Sequence, residues 1–173
     1  MEATKLFVAH DESNNGRPLE VHSSVFSEFL SDVAYCNKEL NKVRVHGELF
    51  ERLRKRDYRF VLVNKEDKIR LRNKSERLGI ILTSLLMNVE MNLDLKSLDL
   101  YLDGNKSQKE IEYVRDSVSC YLSFPRMRIN ITSGPRLDQH YPLVNMADQL
   151  AHYLYKCGKH ILSVHPKRNE LIV

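Results

Sequence analysis

Apolar and polar positions follow two periods along this chain, and the switches between them lay out its elements. Ser97 to Asp103 alternates strictly, with Leu98, Leu100 and Leu102 on one face and Asp99, Tyr101 and Asp103 on the other. That two-residue period predicts a half-buried strand. It stops at Asp103-Gly104-Asn105, a turn signal that leaves a carboxylate at the strand's carboxyl end. Residues 5–10 predict a first strand, closed by Asp11, and the bend Asp11 to Gly16 leads into a second over Pro18 to Phe29. These two read as a hairpin. Tyr58 to Val63 and Met127 to Thr132 predict further strands, Lys42 to His46 a short one, and Ser31 to Leu40 fits neither period.

Helical spacing begins at Gly47 to Lys55, where Leu49, Phe50 and Leu53 share a side. Ser75 to Asn92 gives the longest such pattern, and its wide apolar face of Leu78, Ile81, Leu82, Leu85, Leu86 and Val89 predicts a largely buried helix. Ser107 to Leu122 predicts a polar helix, and Pro142 to Tyr155 a last one opened by proline in its first turn. Between the third strand and the long helix, Lys65 to Lys74 carries five basic residues and reads as a loop, either simply solvated or facing phosphate. His160 to Val173 reads as a tail or a short added strand. A hairpin followed by β-α-β-α units predicts an α/β fold, a mixed sheet of antiparallel and parallel strands flanked by helices. We expect a single domain over residues 1–160 with a C-terminal tail over 161–173.

Composition narrows the function classes. The 173 residues carry 27 basic and 23 acidic side chains, a net +4 that permits a polyanionic partner without requiring one. No apolar run approaches the roughly 20 residues of a membrane span, and the start lacks a signal-peptide pattern. Cys36, Cys120 and Cys157 are widely spaced, as expected of reduced thiols in a cytoplasmic protein. Phosphate-binding glycine loops, the serine-hydrolase elbow and zinc-ligand spacings are absent from the sequence.

The chemistry resides in carboxylates. Asp11 and Asp103 end strands that this topology makes neighbours, and Asp148 borders the apolar surface of the last helix, one residue from Ala147 and four from Val144 and His152. A charge there needs a metal or hydrogen bonds to offset its burial. Acids distant in sequence but close in space suit Mg2+ or Mn2+, which take oxygen ligands. Glu76, at the start of the long helix, is a candidate fourth acid. Glu48 and Glu12 compete with it, and a first-turn acid favoured by the helix dipole is the structural alternative for Glu76. His152, one turn beyond Asp148, is a candidate for orienting a water or a ligating carboxylate.

These residues together give a resemblance. LFVAHDESNNG is similar to the opening of an uncharacterised family of ribonuclease H-like proteins whose first strand ends in Asp-Glu-Ser-Gly, with Asn14 here at the glycine. KVRVHGELF, LDLYLDG and LDQHYPLVNMADQLAHYL resemble its later segments, including the Ala147-Asp148 pair of the closing helix and Asp138 upstream. The resemblance implies a ribonuclease H-like fold and a divalent-metal site on Asp11, Asp103 and Asp148. The function expected is a metal-dependent phosphodiesterase acting on DNA or RNA, with Arg70, Arg72, Lys74 and Arg77 on phosphate. A homo-oligomer is left open. The competing readings are an inactive binding or assembly module, with Tyr113, Tyr121, Phe124, Tyr141, Tyr153 and Tyr155 as a partner surface, and a metal-dependent phosphatase of small molecules.

Overall fold

The computed structural model describes residues 4–13, 17–42, 46–71, 73–87, 89, 95–122 and 127–171. Among them, β1 (Thr4–Ser13), β2 (Glu20–Ser27), β3 (Asp57–Val63), β4 (Leu95–Asp103) and β5 (Arg128–Gly134) form one sheet in the order β3-β2-β1-β4-β5. β1 and β2, and β2 and β3, pair antiparallel. β1 and β4, and β4 and β5, pair parallel. This is the mixed sheet that the sequence predicts.

Both faces of the sheet are covered, because the central strands carry apolar side chains on both sides. Phe7 and Ala9 of β1 and Val21 and Val25 of β2 join one core with Leu143, Val144, Ala147 and Leu150 of α5 (Pro142–Lys156) and Leu49 and Leu53 of α1 (His46–Leu53). Leu6, Val8, Leu98, Leu100 and Leu102 point the other way, onto α3 (Lys74–Leu86) and α4 (Gln108–Leu122). Small residues set how closely the layers approach. Ala147 and Ala151 are fully buried, and Ser23 Oγ of β2 donates to the Ala147 carbonyl at 3.2 Å, tying α5 to the sheet. A Cβ on Gly79 of α3 would meet the Tyr113 carbonyl oxygen of α4 at 2.9 Å, so glycine is what lets these helices touch.

The structure departs from the pattern reading in two places. Lys65 to Lys74 is not a loop throughout but opens with α2 (Lys65–Arg70). Asn64 accepts from the backbone N–H groups of Glu66 and Asp67 while the Asp67 carboxylate accepts from Asn64 N–H, a reciprocal cap that starts the helix despite its charge. The short strand expected over Lys42 to His46 falls on residues 43–45, which lie outside the described ones; α1 begins at His46. The long helix ends at Leu86 rather than near Asn92, where Met87 turns to extended backbone. Asn169 caps that end, its Nδ2 donating to the Ser84 and Met87 carbonyls at 2.8 and 2.7 Å. Around it, residues 159–163 form a short helix α6, and Phe60 of β3 bonds the backbones of Lys167 and Asn169. None of the described helices is long and apolar enough to cross a membrane.

One buried ion pair braces the edge of this frame. Asp32, in a single 3-10 turn (Leu30–Val33), receives Arg56 Nη2 at 2.5 Å and Nε at 2.6 Å, and also Ser27 Oγ. Removing one partner of such a pair strands the other charge. Asp32→Ala is therefore expected to lower the unfolding free energy by about 3 kcal/mol, read as a shifted urea midpoint at unchanged slope.

Candidate functional site

Strand register sets Asp11 and Asp103 side by side. The parallel β1–β4 ladder runs to His10 opposite Leu102, and one residue further lie Asp11 and Asp103, on strands about 4.8 Å apart. β1 does not end at Asp11 as the sequence suggests; it continues to Ser13, and Asp11 pairs with Ser23 of β2. Alternation points Asp11, like Ala9, and Asp103, like Tyr101, toward α5. α5 in turn brings Asp148 onto Asp11, with their carboxyl groups hydrogen-bonded.

The electrostatics follow from that crowding. Burial pushes the Asp11 carboxyl up to about 8; the Glu12 backbone N–H opposes this, and the charges of Asp148 and Asp103 add to it. Asp11 therefore keeps a proton at neutral pH while no cation neutralises its neighbours. Asp138 joins from a second 3-10 turn (Leu137–Gln139), raised by its own burial and by the Asp103 charge, against Lys42. Asp103 Oδ1 accepts the Leu137 backbone N–H at 2.7 Å, which fixes this turn to the end of β4. Lys42 closes the cluster: its Nζ lies 2.7 Å from Asp148 Oδ2 and 3.5 Å from Asp138 Oδ2. Burial pulls the Lys42 ammonium down, but its hydrogen bond to Asp148 and the charges of Asp148 and Asp138 outweigh this and hold it above its ordinary value.

The donor set, all carboxylate oxygen, has the chemistry that Mg2+ or Mn2+ requires. Its spacing is looser than a closed coordination shell, since among the described residues no group of three His, Cys, Asp or Glu side chains is drawn together that tightly. Lys42 and the Leu137 N–H take up oxygens that a cation would otherwise claim.

The other candidates lie elsewhere. Glu76 stands at the start of α3, in the layer across the sheet, and its Oε1 accepts from Asn73 Nδ2 at 2.7 Å. Glu48 is exposed in the first turn of α1, and His152 is exposed on α5; among the described residues no hydrogen bond or ion pair joins either to the aspartates. Glu12 points to the α3 side, where its Oε2 lies 3.6 Å from His22 Nδ1. Arg70 and Arg77 line separate clefts of about 410 and 210 Å³. Arg72 lies outside the described residues, as does Phe124. Tyr113 and Tyr121 are exposed on α4 and Tyr155 on α5, so these rings form no single surface, while Tyr141 and Tyr153 pack against the core.

Sequence reasoning met Asp138 only as part of the resemblance, not as a site acid, and missed Lys42. Asp138 had a faint signal, four residues before the proline that opens α5. Lys42 had only its place in an alternating run, which read as a strand.

Comparison with protein-family models and with curated proteins finds no match to this chain. Among solved structures it is similar to the crystal structure of Bst-RNase HIII in complex with Mn2+, with a TM-score of 0.53 at 14% sequence identity. The likeness covers 93% of this chain and 55% of that one, so the chain spans about half the length of that protein. The fold is thus ribonuclease H-like, with the five-stranded mixed sheet that such a likeness requires.

Proposed function

We propose that the protein is a divalent-metal-dependent phosphodiesterase acting on nucleic acid, with Asp11, Asp103 and Asp148 as the metal ligands. The observation that carries this is the convergence of these aspartates from β1, β4 and α5, in a fold shared with a ribonuclease solved with Mn2+. A divalent cation bound there would activate water and neutralise charge on the scissile phosphate. The chain's own groups prepare for it. Asp103 is held by the Leu137 N–H, the Ser23 bond to the Ala147 carbonyl ties α5 to the sheet one residue before Asp148, and Asp11 would give up its proton to a bound cation.

A second reading is favoured by Lys42. An ammonium 2.7 Å from Asp148 neutralises part of the cluster without any metal, as an inactive nucleic-acid-binding or assembly module would require. Melting with and without manganese separates the two. The metal reading expects Mn2+ to raise the melting temperature of the wild type, and the rise to vanish in Asp11→Asn. Equal melting with and without Mn2+, together with intact oligonucleotides after incubation, would leave the module.

A further inference from the structure

We infer that Tyr35 is a stacking platform for an unpaired base of a single-stranded nucleic acid, linked through Tyr141 and Tyr101 to the strand end that carries Asp103. This rests on the nuclease reading above for the identity of the substrate. Tyr35 is 58% exposed, yet its ring is held. His140 lies parallel against it, with centroids 5.0 Å apart and planes 18° from parallel, and Tyr141 meets it edge-on at 5.6 Å. The backbone clamps the same place, as Cys36 N–H donates to the His140 carbonyl at 2.8 Å and Leu40 N–H to the Gln139 carbonyl at 2.8 Å. His140 Nδ1 also lies 3.0 Å from the Cys36 carbonyl oxygen. An exposed ring with its orientation already fixed loses little freedom when something stacks on it.

Position selects what that something is. The rings continue from Tyr141 to Tyr101 at 5.4 Å, and Tyr101 precedes Asp103 by two residues on one face of β4, about 7 Å. Asp138, in the acid cluster, is two residues before His140. The segments that carry the platform also carry exposed cations, Lys38 and Arg136, suited to a backbone on either side. A base can offer its face to a side chain only when it is unstacked from its neighbours, which a continuous duplex does not allow. The geometry therefore points to a single strand rather than a duplex.

The test is binding of a single-stranded oligonucleotide carrying 2-aminopurine, followed by anisotropy and by quenching of the 2-aminopurine, in EDTA so that nothing is cleaved. The wild type is expected to bind and to quench. Tyr35→Ala should bind about five-fold more weakly or worse and lose the quench, whereas Tyr35→Phe should keep both, with melting temperatures unchanged. No binding by the wild type, equal binding and quenching by Tyr35→Ala, or tighter binding of the same sequence as a blunt duplex would each overturn the platform. Tyr35-dependent binding without cleavage in Mn2+ keeps the platform and removes the nuclease reading; cleavage with Tyr35-independent binding does the reverse.

Discussion

Asp103→Asn is expected to lose manganese-dependent cleavage of oligonucleotides by more than about 100-fold, since even residues that merely support a metal ligand commonly cost 10–100-fold. The substitution is close to isosteric, and the amide oxygen can still accept the Leu137 N–H that holds the turn beside β4. Melting should therefore be nearly unchanged. What disappears is the charge beside Asp11. Asp99 supplies the comparison: it shares the face of Asp103 but sits about 13 Å back along the strand, where Ser97 Oγ and Asn130 Nδ2 hold its Oδ1 at 3.0 and 2.6 Å. Asp99→Asn should cleave as the wild type does. Full activity in Asp103→Asn, or equal losses in both variants, would sink the mechanism.

The second large effect is on stability against pH. The folded chain keeps a proton on Asp11, pushed up to about 8, that the unfolded chain releases near the ordinary value of 3.8. The folded state then binds more protons across that window, and the stability associated with this group falls as pH rises toward 8. The loss is on the order of a few kcal/mol. Asp11→Asn puts a neutral amide in the same place. In metal-free buffer it should melt at a higher temperature than the wild type above about pH 8, and the gap should close toward acid. Urea titrations across that range read the difference directly, and parallel stability profiles for the two proteins would refute it.

Much of this architecture is written in periodicity. Strict alternation marks β4 because its leucines face α3 and α4 while Asp99, Tyr101 and Asp103 face α5. The parallel half of the sheet follows from the helices that intervene between its strands. Charge-rich segments were harder to read. The run of lysines and arginines over α2 draws the eye from Asn64 and Asp67, whose reciprocal bonds start that helix. Asp138 sits in a turn with no period to mark it, and its membership depends on a bond between the ends of β4 and β5, which only the folded chain supplies. Lys42 is invisible for the same reason: what places it is the pairing of Leu40 with Gln139, about a hundred residues away in sequence.

The cap that Asn169 places on α3 has a consequence for synthesis. α3 is complete once Leu86 has been made, but the carbonyls at its end find their side-chain donor only when residue 169 emerges. Until then the nascent helix carries a frayed terminus beside β3, whose Phe60 is also waiting for the backbone of Lys167 and Asn169. Elongation therefore proceeds with this corner unfinished, and the closing stitch is drawn late, after every strand of the sheet has been translated.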